Sequence, residues 1–221
     1  DGFSFVATED IPIAEIIYFT DNQYNSGSNA FTFNGFPTGE AVVKFEVGTS
    51  GLNKGVVVFV NETSSNVLST TCSSGDCGGA VVSTATGNGG FSIATNGEGL
   101  YAYSDDDDDV VNGINEVYSV LYTGTGILTV QNGGAIPLSE NPLADFPNAI
   151  VLEGFPDDGD GYVGLDRVEY LFDPANLRDG VTRSKFKDVA NWLSLEPNLE
   201  LSVVAFTNMN IGEALSVSDQ D

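Results

Sequence analysis

Carboxylates are the main chemistry-bearing groups of this 221-residue chain: 32 Asp and Glu stand against 7 Lys and Arg, no His is present, and the formal charge at pH 7 is -25. They gather in two clusters. Asp105, Asp106, Asp107, Asp108 and Asp109 are contiguous, and Asp157, Asp158 and Asp160 surround Gly159. Like charges so close repel one another unless a cation gathers them, and calcium draws its ligands from carboxylates, carbonyls and water. Each cluster is therefore a candidate calcium site, with a solvated acidic loop as the alternative. The second cluster does not keep the register of a helix-loop-helix calcium loop. With Gly161 as the turn glycine, Pro156 would fill the first ligand position and Arg167 the last, where a bidentate Glu is wanted.

The other reactive pair is Cys72 and Cys77, in Thr71-Cys72-Ser73-Ser74-Gly75-Asp76-Cys77-Gly78-Gly79. With no second cysteine pair and no histidine, a metal site is not expected there. The spacing allows a small disulfide loop, worth about 2 kcal/mol by chain entropy, which would pin a hairpin tip; two free thiols are the alternative.

The missing imidazole closes several catalytic routes, because Ser-His and Cys-His nucleophiles, His-ligated zinc and histidine proton shuttles all need that ring. Paired acids could still hydrolyse a glycoside, given the right separation across a groove. The expectation is nevertheless a non-enzymatic protein. Nucleic acid and anionic lipid are not expected as partners, since both would be repelled by this surface. No apolar run is long enough for a membrane-spanning helix and no leader-like stretch opens the sequence, so the expectation is a soluble protein or one whose targeting segment has been removed, without membrane insertion. Self-repulsion on this scale is relieved by salt, with a Debye length of ~8 Å at physiological ionic strength.

The elements that must position these groups read as strands. Short runs rich in Val, Ile, Phe, Tyr and Thr alternate with Gly, Asn, Asp and Ser clusters, at period two almost throughout. The pattern predicts an all-β fold: one domain over 1–221, built as a two-sheet sandwich or a large barrel. Its strands are expected at 3–7, 15–20, 31–34, 41–47, 56–60, 80–83, 91–94, 100–103, 117–122, 127–130, 149–152, 168–172 and 201–206. Lys44 and Glu46 alternate with Val43, Phe45 and Val47, which marks a strand with one wet face, whereas the unbroken apolar run Val56 to Val60 belongs in a central strand. One short helix is expected near 182–193, where Phe186, Val189, Ala190 and Leu193 fall at helical spacing and Thr182 can cap.

Arg167, Arg178, Arg183, Lys185 and Lys187 occupy one stretch, leaving Lys44 and Lys54 elsewhere. That polarity suits either pairing with nearby acids or a head-to-tail contact between copies. Asn61-Glu62-Thr63 is an N-glycosylation acceptor in a secretory setting and otherwise an ordinary loop.

Phe5-Val6-Ala7-Thr8-Glu9-Asp10-Ile11-Pro12, followed by Ile16-Ile17-Tyr18-Phe19-Thr20-Asp21-Asn22, resembles the opening of a domain recurrent in large secreted and surface-anchored bacterial proteins. Asn96 to Tyr103, Val117 to Leu121 and Phe186 to Trp192 are similar to its later segments. The sequence departs from that pattern at Ala14-Glu15, at Gln23-Tyr24 and in the inserted poly-Asp run. The resemblance implies a β-rich extracellular module found beside adhesion or anchoring domains, and supplies no catalytic residue. From it and the charge pattern, the expected function is a structural module at the cell surface or outside the cell. It would associate with copies of itself into a layer, filament or shell, with calcium as a possible stabilising ion. A carbohydrate-binding or adhesive module is the alternative, with Tyr101, Tyr103, Tyr118 and Trp192 as stacking faces for glycans.

Overall fold

The computed structural model describes residues 2–20, 23–25, 30–32, 42–83, 99–105, 115–122, 127–130, 134–137, 149–151, 168–170 and 192–194. Among them there are fifteen strands and no helix. These are β1 (Gly2–Val6), β2 (Ile16–Thr20), β3 (Gln23–Asn25), β4 (Ala30–Thr32), β5 (Val42–Val47), β6 (Val57–Ser64), β7 (Val67–Cys72), β8 (Gly78–Ser83), β9 (Gly99–Ser104), β10 (Glu116–Tyr122), β11 (Ile127–Val130), β12 (Gly134–Pro137), β13 (Ala149–Val151), β14 (Val168–Tyr170) and β15 (Trp192–Ser194).

Two sheets carry the core. One has the order β1-β6-β7 and the other β13-β10-β9-β2-β5-β8, antiparallel except where β13 runs parallel to β10. They do not close into a barrel, which is the arrangement of a sandwich. Between them lie Phe3, Ile17, Phe19, Val43, Phe45, Val58 and Val60, all buried. Phe5 packs against the same cluster, its ring 5.0 Å from that of Phe19 and edge-on to Phe45 at 5.1 Å, the tilted geometry that aromatic pairs prefer.

Three stretches of chain build most of both sheets by bending over a shared corner. β1 pairs with β6 and β2 with β5, and the segments joining them stay bonded to each other as they cross between layers. Ala7 N donates to Val56 O at 3.0 Å, Ile11 and Leu52 exchange bonds of 2.8 and 2.9 Å, and Val47 N donates to Glu15 O at 2.9 Å. The ladder slips by one residue on the way, beside Ala14, which takes a left-handed φ of 61°. On the other side, β7 pairs with β6 and β8 with β5. Here the chain crosses in only the short segment 73–77, against 48–56 in its neighbour, so it takes the tight path around the bend.

Several expectations change. Trp192 and Leu193 lie in β15, paired with Tyr170 and Glu169, so the helix expected near 182–193 does not include its last two residues; its other positions lie outside the described residues. Pairing with β14 outweighs the local helical spacing there. β7 was not expected, because Val67-Leu68-Ser69-Thr70-Thr71-Cys72 is poor in large apolar residues, although it alternates exposed and half-buried along its length. Asn61 stands inside β6, opposite Gly2 and Ser69, and not in a loop after the strand. The expected strands 91–94 and 201–206 lie outside the described residues.

Candidate functional site

The corner is where the sequence concentrates special residues. Cys72 and Cys77 are joined in a disulfide, their Cα atoms 5.8 Å apart, an ordinary separation for such a bond. The bridge closes the segment that carries the chain from one sheet to the other. Inside it, Asp76 binds in two directions. Thr49 donates to Asp76 Oδ2 from its hydroxyl at 3.0 Å and its amide at 3.3 Å, and Gly78 N donates to Oδ1 at 3.2 Å. The Gly78 amide, then the Thr49 hydroxyl and amide, hold the exposed Asp76 carboxyl below its ordinary value. Ser73 continues the β6 ladder, its N donating to Val57 O at 2.9 Å while its Oγ accepts from Val57 N at 2.9 Å.

Glycine is required at Gly78, where φ is +95° and a Cβ would run into the Glu46 carbonyl of β5. Gly48 meets the same approach from the other strand, since a Cβ there would lie 2.6 Å from Gly78 N. On the far side of the corner, Asp10 Oδ1 accepts from Lys54 N at 2.8 Å. The Asp-Ile-Pro run of the opening motif thus performs a structural task here: it clasps the crossing segments, with Ile11 bridged to Leu52.

A second cluster lies on the side of the six-stranded sheet facing away from the three-stranded one. Lys44, Tyr18 and Tyr103 stand opposite one another on β5, β2 and β9. The Tyr18 and Tyr103 rings stack at 5.4 Å, and Lys44 Nζ lies 5.9 Å from the Tyr18 ring centroid, within cation-π range. Thr20 and Tyr101 form the next pair, and Tyr18, Thr20, Tyr101 and Tyr103 are all buried. Burial, then the neighbouring Asp105 carboxylate and Tyr18, push the Tyr103 phenol well above its ordinary range. Tyr118, packed against the core, is also raised, chiefly by burial and against a hydrogen bond with Ser104.

Of the acidic residues expected to hold calcium, only Asp105 is described: it is half-buried just after β9. Asp106, Asp107, Asp108, Asp109, Asp157, Asp158 and Asp160 lie outside the described residues, as do Arg167, Arg178, Arg183, Lys185 and Lys187. Among the described residues no group of three or more Asp, Glu, His or Cys side chains is placed to hold a metal. Two of the expected glycan-stacking faces are corrected: Tyr101 and Tyr103 are 1% and 0% exposed, so neither ring can lie against a sugar. Sequence reasoning missed the roles of Asp76 and Thr49; the signal available was an Asp two residues before a glycine in a tight loop. No helix among the described residues is long and apolar enough to cross a membrane. No family model matches the chain, and comparison with curated proteins and with solved structures finds no match.

Proposed function

We propose that this protein is a non-enzymatic structural module of the extracellular space or cell surface, which associates with copies of itself and whose acidic segments are gathered by calcium. The observation that carries the reading is the disulfide-closed corner. Disulfides persist in oxidising compartments, and this one closes the tightest of the described crossings between the two sheets. The charge of -25 adds to it: so acidic a surface suits a medium rich in salt and divalent cations, where screening and ion binding offset self-repulsion. The resemblance of the opening motif to domains of secreted and surface-anchored bacterial proteins points the same way.

The test is to dialyse the purified protein against calcium or magnesium at equal ionic strength, then measure melting temperature and image the product by electron microscopy. Calcium is expected to raise the melting temperature more than magnesium and to yield ordered assemblies. Equal melting in the two ions would remove calcium from the account. Dispersed single molecules in both would remove the structural role.

A further inference from the structure

Among the described residues the six-stranded sheet ends at β13 and β8. β8 is one edge, and its backbone polarity follows from the ladder. Val47 exchanges its hydrogen bonds with Ala14 and Glu15 on the β2 side, so in the antiparallel alternation Val47, Phe45 and Val43 turn their backbone groups away from β8. Their partners Gly78, Ala80 and Val82 then present N–H and C=O groups outward. Those of Gly78 are occupied: its carbonyl accepts from Thr70 Oγ1 at 2.7 Å and its amide donates to Asp76. Among the described residues, Ala80 and Val82 are left as the outward-facing template. Between them Val81 is 60% exposed, and Gly79 is open to solvent.

Protein edges are commonly guarded by charges, especially Lys, or by Pro. β8 has neither. Residues 77–97 contain no Asp, Glu, Lys or Arg, and over 63–97 the one charged side chain is Asp76, which is held by Thr49 and Gly78. In a chain of net charge -25, an edge strand with no charge of its own selects its partner. A cationic protein would be drawn to the acidic surface and gain nothing from a strip without charge. An equally acidic molecule can approach only where its own charge and that of the chain are both low.

We propose that β8 is a self-pairing edge, along which two copies of the chain join antiparallel about a twofold axis at Val81. Ala80 of each copy then exchanges backbone hydrogen bonds with Val82 of the other. Val81 faces its twin in a non-hydrogen-bonded pair, where side chains approach most closely and an exposed valine gains a partner. The contact is isologous, and the two sheets become one continuous sheet. Because the seam is neutral and the remainder of each copy acidic, added NaCl strengthens the association by screening.

This inference rests on the self-association proposed above and names its surface. Sedimentation equilibrium of the full chain is expected to show a dimer that grows with concentration and with NaCl. Val81→Lys places two ammonium groups opposite each other and weakens dimerisation by roughly tenfold. Val81 is exposed but stands opposite Lys44 of β5, so Val81→Glu serves as the second variant: its carboxylate can pair with Lys44 in its own chain, keeping the wild-type melting temperature, yet meets its twin across the seam and weakens dimerisation likewise. Val81→Cys is expected to form a disulfide-linked dimer on air oxidation, read by non-reducing mass spectrometry, whereas Ser65→Cys in the β6–β7 turn does not. Association of Val81→Lys equal to wild type, or no cross-link from Val81→Cys under conditions where wild type associates, overturns the β8 seam and leaves the structural reading standing. A wild-type chain that stays monomeric at every concentration and salt level overturns both.

Discussion

The two faces of the six-stranded sheet are both buried over β2 and β9, and they are built from different materials. Toward the three-stranded sheet lie Phe19, Val43, Phe45 and Ala80, packed with Phe3, Phe5 and Val58. On the opposite face lie Tyr18, Thr20, Tyr101 and Tyr103, beside the half-buried Lys44. Apolar rings interlock by shape, and their burial contributes at any pH. The buried Tyr103 phenol contributes only with its proton in place, so the tyrosine face adds selectivity of packing and a sensitivity to alkali that the other face lacks.

The largest expected effect comes from the apolar face. Phe45 is fully buried and edge-on to Phe5, so Phe45→Ala leaves a cavity and costs about 3–5 kcal/mol. Chemical denaturation should return the same loss at pH 6 and pH 9; a strong pH dependence would erase the contrast between the faces. Next is the disulfide. Replacing Cys72 and Cys77 by Ser removes about 2 kcal/mol through the short loop. The bridge ties β7 to β8 on the Phe side, so near-ultraviolet dichroism of the tyrosines is expected to stay unchanged in the folded double variant. Its collapse would mean that the faces are not separable.

Tyr103→Phe is expected to act through pH. An unfolded tyrosine ionises near 10.0, whereas the folded Tyr103 holds its proton to higher pH because of burial and Asp105. The stability it contributes is therefore complete below pH 10 and is lost as pH climbs above it. The variant should show a shallower alkaline limb in a stability-against-pH series, and an unchanged limb would contradict the assignment. The smallest effect belongs to Asp76→Asn. The Asp76 carboxyl is held below 3.8, so its contribution is present above that pH and lost on acidification. The variant should flatten the acid limb slightly while leaving the alkaline one as in wild type.

The apolar face was the more legible of the two in the sequence. Val43, Phe45 and Val47 alternate with Lys44 and Glu46, and the unbroken run Val56 to Val60 marks the middle strand of β1-β6-β7. The tyrosine face was not legible. Tyr18, Thr20 and Tyr103 alternate with core residues as exposed positions do, and an amphipathic side chain suits either a wet surface or a second packed layer. β7 was hidden by its Ser and Thr content, and Trp192 by a helical spacing that pairing with Tyr170 overrode. The corner was half legible: the cysteine spacing announced a small loop, but the partnership of Asp76 with Thr49 joins positions far apart in sequence, which no local pattern encodes.

The central claim is that this acidic, disulfide-cornered sandwich exists to associate with its own kind. Sedimentation velocity of the wild-type chain over a wide concentration range, with calcium present and absent, tests it most directly. The account predicts larger species that increase with concentration and are favoured by calcium; one unchanging monomer boundary in every condition would contradict it.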